Sequence, residues 1–129
     1  MESGKLRFEV VQQRKVTVFR PVGWVTAEGH VDMEERMKQL IGAGAKRMVV
    51  DLSAVHVVSS TVLGVFLYYK KVLEDAGGLL ILAAPAGATR RMLSVSGLDR
   101  SLEICDTLAL ALARAGARTS SRRRAGRQD

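Results

Sequence analysis

The 129 residues suffice for one domain, and with 47% apolar but only 5% aromatic residues its core must be aliphatic, with methionine as filler. A lone cysteine, Cys105, excludes an internal disulfide and hence a stapled secreted scaffold, and with only two histidines beside it the soft ligands are too few for a structural zinc site. The formal net charge is +7, but from Gly116 onward five Arg stand against one Asp, so this tail holds +4 and the body only +3.

Residues 6–12 (LRFEVVQ) alternate imperfectly and predict a strand; 16–22 (VTVFRPV) predict a second, with Arg14-Lys15 turning the chain into a hairpin. Pro21 falls near a strand end, where a missing N–H is tolerated. Gly23-Trp24-Val25-Thr26 leads into a helix whose apolar face is Val31, Met33, Met37, Leu40 and Ile41, stopped by Gly42 and Gly44. The apolar run 46–52 (KRMVVDL) has the character of a buried parallel strand. A second helix is predicted over 60–76, with Val62, Val65, Phe66, Tyr69 and Leu73 as its stripe and Gly77-Gly78 as its stop. A buried strand at 79–83 (LLILA), a helix at 86–95, a strand at 102–105 and a helix at 107–115 complete the body.

The order β-β-α-β-α-β-α-β-α implies right-handed crossovers and a single α/β domain with a mixed, mainly parallel sheet flanked by helices. That domain occupies residues 1–115; residues 116–129 have no aliphatic side chain larger than Ala and are expected to be disordered. The N-terminus lacks the apolar stretch of a signal peptide and no run reaches membrane-spanning length, so a cytoplasmic location is expected.

The usual catalytic motifs are missing: there is no phosphate-binding G-x-x-x-x-G-K-[ST], no G-x-G-x-x-G after a strand, no H-E-x-x-H and no G-x-S-x-G. Asp51, His56 and Ser59 or Ser60 have the residue types of a hydrolytic triad, but triads are assembled from distant loops rather than from one short segment. His30 reads as a solvated residue and Cys105 as packing. No enzyme activity, metal or cofactor is expected.

The informative segment is 51–64, DLSAVHVVSSTVLG. It leaves a buried strand and sets three hydroxyls, Ser59-Ser60-Thr61, at the mouth of the longest helix. One of them can cap the helix, which is worth about 1 kcal/mol; the other two are not needed for that. A hydroxyl at this position is also one where phosphate is tolerated, since it adds about −1.5 to −2 charges against unpaired amides and the positive end of the helix dipole.

Asp51-Leu52-Ser53, Val55, Ser59-Ser60-Thr61, Leu63-Gly64-Val65, Gly77-Gly78 and Leu80 together resemble the STAS family of anti-sigma factor antagonists. The stretch Arg91-Met92-Leu93-Ser94-Val95-Ser96-Gly97-Leu98-Asp99 is similar to that family's R-x-L-x-x-[ST]-G-L-D segment. The resemblance spans about residues 8 to 114. It implies a four- or five-stranded sheet and a partner anti-sigma factor that is itself a serine kinase. The unphosphorylated form would hold that kinase, phosphorylation of the serine aligned with Ser60 would end the complex, and a separate phosphatase would reset it. Thr26, Ser59, Thr61 and Val62 are the implied partner interface. The family's Asp before the acceptor serine is here Ser59, the Gly after the hydroxyl pair is Val62, and G-[DE]-[LIV]-[DN] is Gly23-Trp24-Val25-Thr26. Trp24 is open to two readings, core or exposed apolar surface. Two other functions stay open: an unswitched STAS scaffold or accessory subunit of a signalling or lipid-transport assembly, and nucleic-acid binding through the basic tail.

Overall fold

Strands β1 (Arg7–Gln13) and β2 (Val16–Val25) form an antiparallel hairpin that Gln13 and Val16 close around Arg14-Lys15. The computed structural model describes residues 6–26 and 29–117. After helix α1 (His30–Gly42), strand β3 (Arg47–Asp51) pairs parallel with the first half of β2, from Val16 with Arg47 to Phe19 with Val50. Strands β5 (Leu79–Ala83) and β6 (Glu103–Cys105) extend the sheet parallel on the far side of β3, giving the order β1-β2-β3-β5-β6.

A sixth strand, β4 (Val55–Val58), was not expected from the sequence, where VHVV reads as a connection. Beyond Asp51 the chain kinks and rejoins the same edge of β2 higher up, pairing Gly23 with Val55 and Val25 with Val58. The register shifts between Gly23 and Trp24, and Gly23 takes φ +120°, open only to glycine. The extra residue lies in β4, at His56, and the pairing with β4 takes β2 on to Val25, three residues past its expected end.

Side chains alternate across the sheet. One face presents Phe19, Met48, Val50, Leu80 and Leu82 to Met33 and Met37 of α1, to Val62, Leu63, Phe66 and Leu73 of α2 (Ser60–Asp75), and to Leu93 of α3 (Gly87–Ser96). The other presents Val16, Val49, Leu79, Ile81 and Cys105 to Ala111 and Ala115 of the last helix, α4 (residues 108–117). Each large side chain buried this way is worth about 1.5–3 kcal/mol. Helix α4 thus runs two residues past the expected limit of the body; the rest of the arginine tail lies outside the described residues. At the start of β5 the backbones close tightly: Leu79 donates to the Lys46 carbonyl at 2.9 Å, and a Cβ on Gly78 would collide with that same oxygen.

Among the described residues no helix is long and apolar enough to cross a membrane.

Candidate functional site

The junction of β2, β4 and α2 places the hydroxyl cluster. The Ser59 N–H donates to the Val25 carbonyl at 3.2 Å, tying the entry of α2 to the end of β2. Ser59 is extended (φ −82°, ψ 162°), and its Oγ accepts from the Val62 N–H at 3.4 Å. Ser59 is therefore the N-cap, and the helix start is satisfied without its two neighbours.

Ser60 is the first helical residue. It is exposed, and its hydroxyl makes no hydrogen bond among the described residues. Thr61 is exposed beside it. In this first turn the Val62 N–H is taken by Ser59, while the Ser60 and Thr61 N–H have no acceptor among the described residues, and no acidic side chain compensates the dipole. The geometry can accept an anion on the Ser60 oxygen with no loss of an existing contact.

Val62 does not belong on this surface. It is fully buried among the core residues under α2, so the expectation that its side chain meets a partner is withdrawn. The reason is helical periodicity: two residues past an outward Ser60 the side chain has turned toward the sheet, where Val62, Leu63 and Phe66 seat the helix. Tyr69 secures it further by donating to Glu34 Oε2 of α1 at 3.2 Å. Burial, then the Glu34 charge, pushes the Tyr69 phenol up to about 12, so it remains a donor.

Thr26 is exposed where β2 ends, one residue past the carbonyl that holds Ser59. Its Oγ1 accepts from the Gly29 N–H at 3.4 Å and its carbonyl from the His30 N–H at 3.1 Å, which starts α1. Trp24 is 46% exposed, on the surface rather than in the core, and its ring meets that of His56 with centroids 5.6 Å apart. Sequence alone left its side undecided; in β2 Phe19 and Val25 both face the core layer under α1 and α2, and Trp24, next to Val25, falls on the opposite face.

The triad residue types are not assembled. Asp51 is buried, takes Arg20 Nε at 3.5 Å on Oδ2 and accepts the Ser53 N–H at 3.0 Å on Oδ1. Arg20 also holds Glu9 at 2.7 Å, and that hydrogen bond holds the Glu9 carboxyl below the usual carboxylate range. His56 instead lies against Trp24. Asp51 thus anchors the sheet where β3 kinks. Among the described residues no cluster of three His, Cys, Asp or Glu side chains could hold a metal ion.

The second motif has a structural task. Gly97 (φ +79°) ends α3, Ser96 Oγ donates to the Leu93 carbonyl at 3.2 Å and accepts from the Leu98 N–H at 3.3 Å, and a 3-10 turn, Leu98–Arg100, follows. Leu93, nearly inaccessible, pins α3 in the core layer shared with β4 and α2.

Comparison with known proteins fits this geometry. A Thermotoga neapolitana homologue of TM1081, whose name assigns it provisionally to the anti-sigma factor antagonists, is 32% identical over 74 residues, 57% of this chain. The match covers 66% of that relative, just under two thirds of its length. Among solved structures, an anti-sigma factor antagonist from Mycobacterium paratuberculosis superposes with a TM-score of 0.76 at 22% identity, covering 87% of this chain and 95% of the other. The anti-sigma factor antagonist SpoIIAA in its unphosphorylated form gives 0.72 at 21% identity, over 86% and 97%. Both show a shared fold. The family model described as the STAS domain matches residues 7–111, the whole packed sheet and its helices: the chain belongs to the STAS domain family.

Proposed function

We propose that this protein is an anti-sigma factor antagonist that binds an anti-sigma factor of the serine-kinase type and is released by phosphorylation of Ser60. The observation that carries the reading is the division of labour at the α2 entry: Ser59 caps, so the exposed Ser60 hydroxyl is free to react. The kinase brings ATP and the base. Ser60 Oγ attacks the γ-phosphorus, its proton passes to the kinase, and ADP leaves. The resulting phosphate sits over unpaired amides and leaves the fold intact. It acts on the docked partner by bulk, by desolvation and by like-charge repulsion, with Thr26, Ser59 and Thr61 as the polar groups around it. A phosphatase hydrolyses the ester to reset the switch. The chain is the substrate and supplies no catalytic group, and a cytoplasmic location suits such a partner.

The test is incubation with the cognate kinase anti-sigma factor and ATP, with the phosphate mapped by mass spectrometry. One phosphate on Ser60, none on Ser60→Ala, and at least about tenfold weaker partner binding by Ser60→Asp are expected. A phosphate elsewhere, or none from an active kinase, would overturn the switch. A second reading, an unswitched scaffold or accessory subunit, is favoured by Trp24 and Thr26 standing where the family has acidic residues. Unchanged partner affinity of Ser60→Asp would select it.

A further inference from the structure

At the opposite end of β2 the hairpin turn and the start of β3 meet. Because Val16 pairs with Arg47, the consecutive cations Arg14-Lys15 and Lys46-Arg47 come together there. They border two adjoining recesses of 530 and 660 Å³; Arg14, Lys15 and Arg47 line both, and no Asp or Glu lines either. Among the described residues none of these four is in an ion pair. Arg36, Lys38, Arg91 and Arg100 are unpaired as well, but none of them lines either recess, so what sets the four apart is that they gather around the recesses. Ala117 also lines the second recess, so the five arginines of residues 118–129 follow in the sequence directly from this pole.

The backbone adds an independent sign. Arg14 takes φ +58° in a two-residue hairpin turn, where Asn or Gly is the unstrained choice. A left-handed arginine costs on the order of 1 kcal/mol, and strain of this kind collects at functional positions.

We infer that this pole, Arg14, Lys15, Lys46 and Arg47 around the paired recesses, is a docking surface for the phosphodiester backbone of a nucleic-acid duplex, read without regard to sequence. Three cations shared between two hollows suit a chain of anions crossing a ridge better than one isolated anion. No aromatic side chain lines either recess, so bases have nothing to stack on and single strands or free nucleotides lose their usual anchor. A planar anionic membrane would meet convex surface, whereas these cations line hollows. The pole lies about 30 Å from Ser60 along β2, at about 3.3 Å per residue, so both surfaces can be occupied at once.

The experiment is fluorescence anisotropy of a short labelled DNA duplex with the full chain. A body variant carries Arg14→Asn, Lys15→Gln, Lys46→Gln and Arg47→Gln, and a tail variant carries Gln at Arg118, Arg122, Arg123, Arg124 and Arg127. Asn tolerates the left-handed turn, so the fold is kept, which circular dichroism checks. With the tail intact, the body variant is expected to bind at least tenfold more weakly, and its log–log salt slope to be shallower by about 3–4. The charge-retaining pair Lys46→Arg and Arg47→Lys should bind like the parent. Unchanged duplex binding by the body variant would overturn the proposal, since the tail would then account for everything. So would equal or tighter binding of the parent to poly-glutamate or to phosphatidylserine vesicles, which would identify an acidic protein or a membrane as the occupant.

Discussion

At the C-terminal end of β2 the backbone passes through a positive φ at Gly23; at its N-terminal end a positive φ falls on Arg14. Where geometry alone is needed, to slip the register and bring β4 alongside, glycine occupies the position. Where a charged side chain is needed, an arginine occupies it despite the strain. The poles differ in charge as well. The entry to α2 offers hydroxyls and unpaired amides with no acidic side chain in its first turn, whereas the hairpin pole offers unpaired cations. One end offers hydroxyls and the other cations, and a phosphate on Ser60 would sharpen the contrast into a dipole along the sheet.

The largest effect expected on this arrangement comes from Gly78→Ala. The new Cβ meets the Lys46 carbonyl oxygen, a backbone atom that β5 also needs as its Leu79 acceptor. Neither strand can yield without giving up ladder hydrogen bonds, so a loss of about 3 kcal/mol is expected, the upper end for overpacking. Urea titration should show the midpoint lowered with an unchanged slope. If the protein then retains Ser60 phosphorylation while losing duplex affinity, the two poles report independently. An unchanged midpoint would mean that the β3–β5 closure is looser than it looks.

A middle-sized effect separates the adjacent serines. Ser59→Ala removes the cap and should cost about 1 kcal/mol, whereas Ser60→Ala removes an exposed, unbonded hydroxyl and should stay within about 0.5 kcal/mol. Their effects on phosphorylation should run the other way, with Ser60→Ala abolishing it and Ser59→Ala sparing it. Equal destabilisation by the two would show the capping duty to be shared and would remove the argument that Ser60 is free.

Local pattern made much of this legible. The helical stripe ending at Leu73 and the apolar runs at 46–52 and 79–83 announce α2, β3 and β5, and those elements are found within a residue or two of expectation. What stayed hidden depends on pairing between distant segments. Val55–Val58 becomes a strand only through its pairing with Gly23–Val25, the continuation of β2 past its expected end. Three consecutive hydroxyls look alike in sequence, and only the φ and ψ of Ser59 assign the cap. The basic pole was invisible for the same reason: Arg14-Lys15 and Lys46-Arg47 are each unremarkable pairs, some thirty residues apart, until Val16 is set against Arg47.

The smallest effect bears most directly on the contrast between the two turns. Replacing Arg14 by Gly relieves a left-handed strain of about 1–2 kcal/mol. It also returns to the unfolded chain about 0.5–1 kcal/mol of backbone entropy. The side chain is exposed and in no ion pair, and the Arg14 carbonyl that accepts from Gln12 Nε2 at 3.3 Å is kept, so little else changes. The sum is a net stabilisation of about 0.5 kcal/mol, or a rise in Tm of about 2 °C for a domain of this size. Differential scanning calorimetry resolves that, and the same variant should lose close to one unit of salt slope on a duplex. Stability and binding would then move in opposite directions through a single side chain. A fall in Tm would instead show that the arginine serves the turn itself, and the reason for its strain would have to be sought inside the fold.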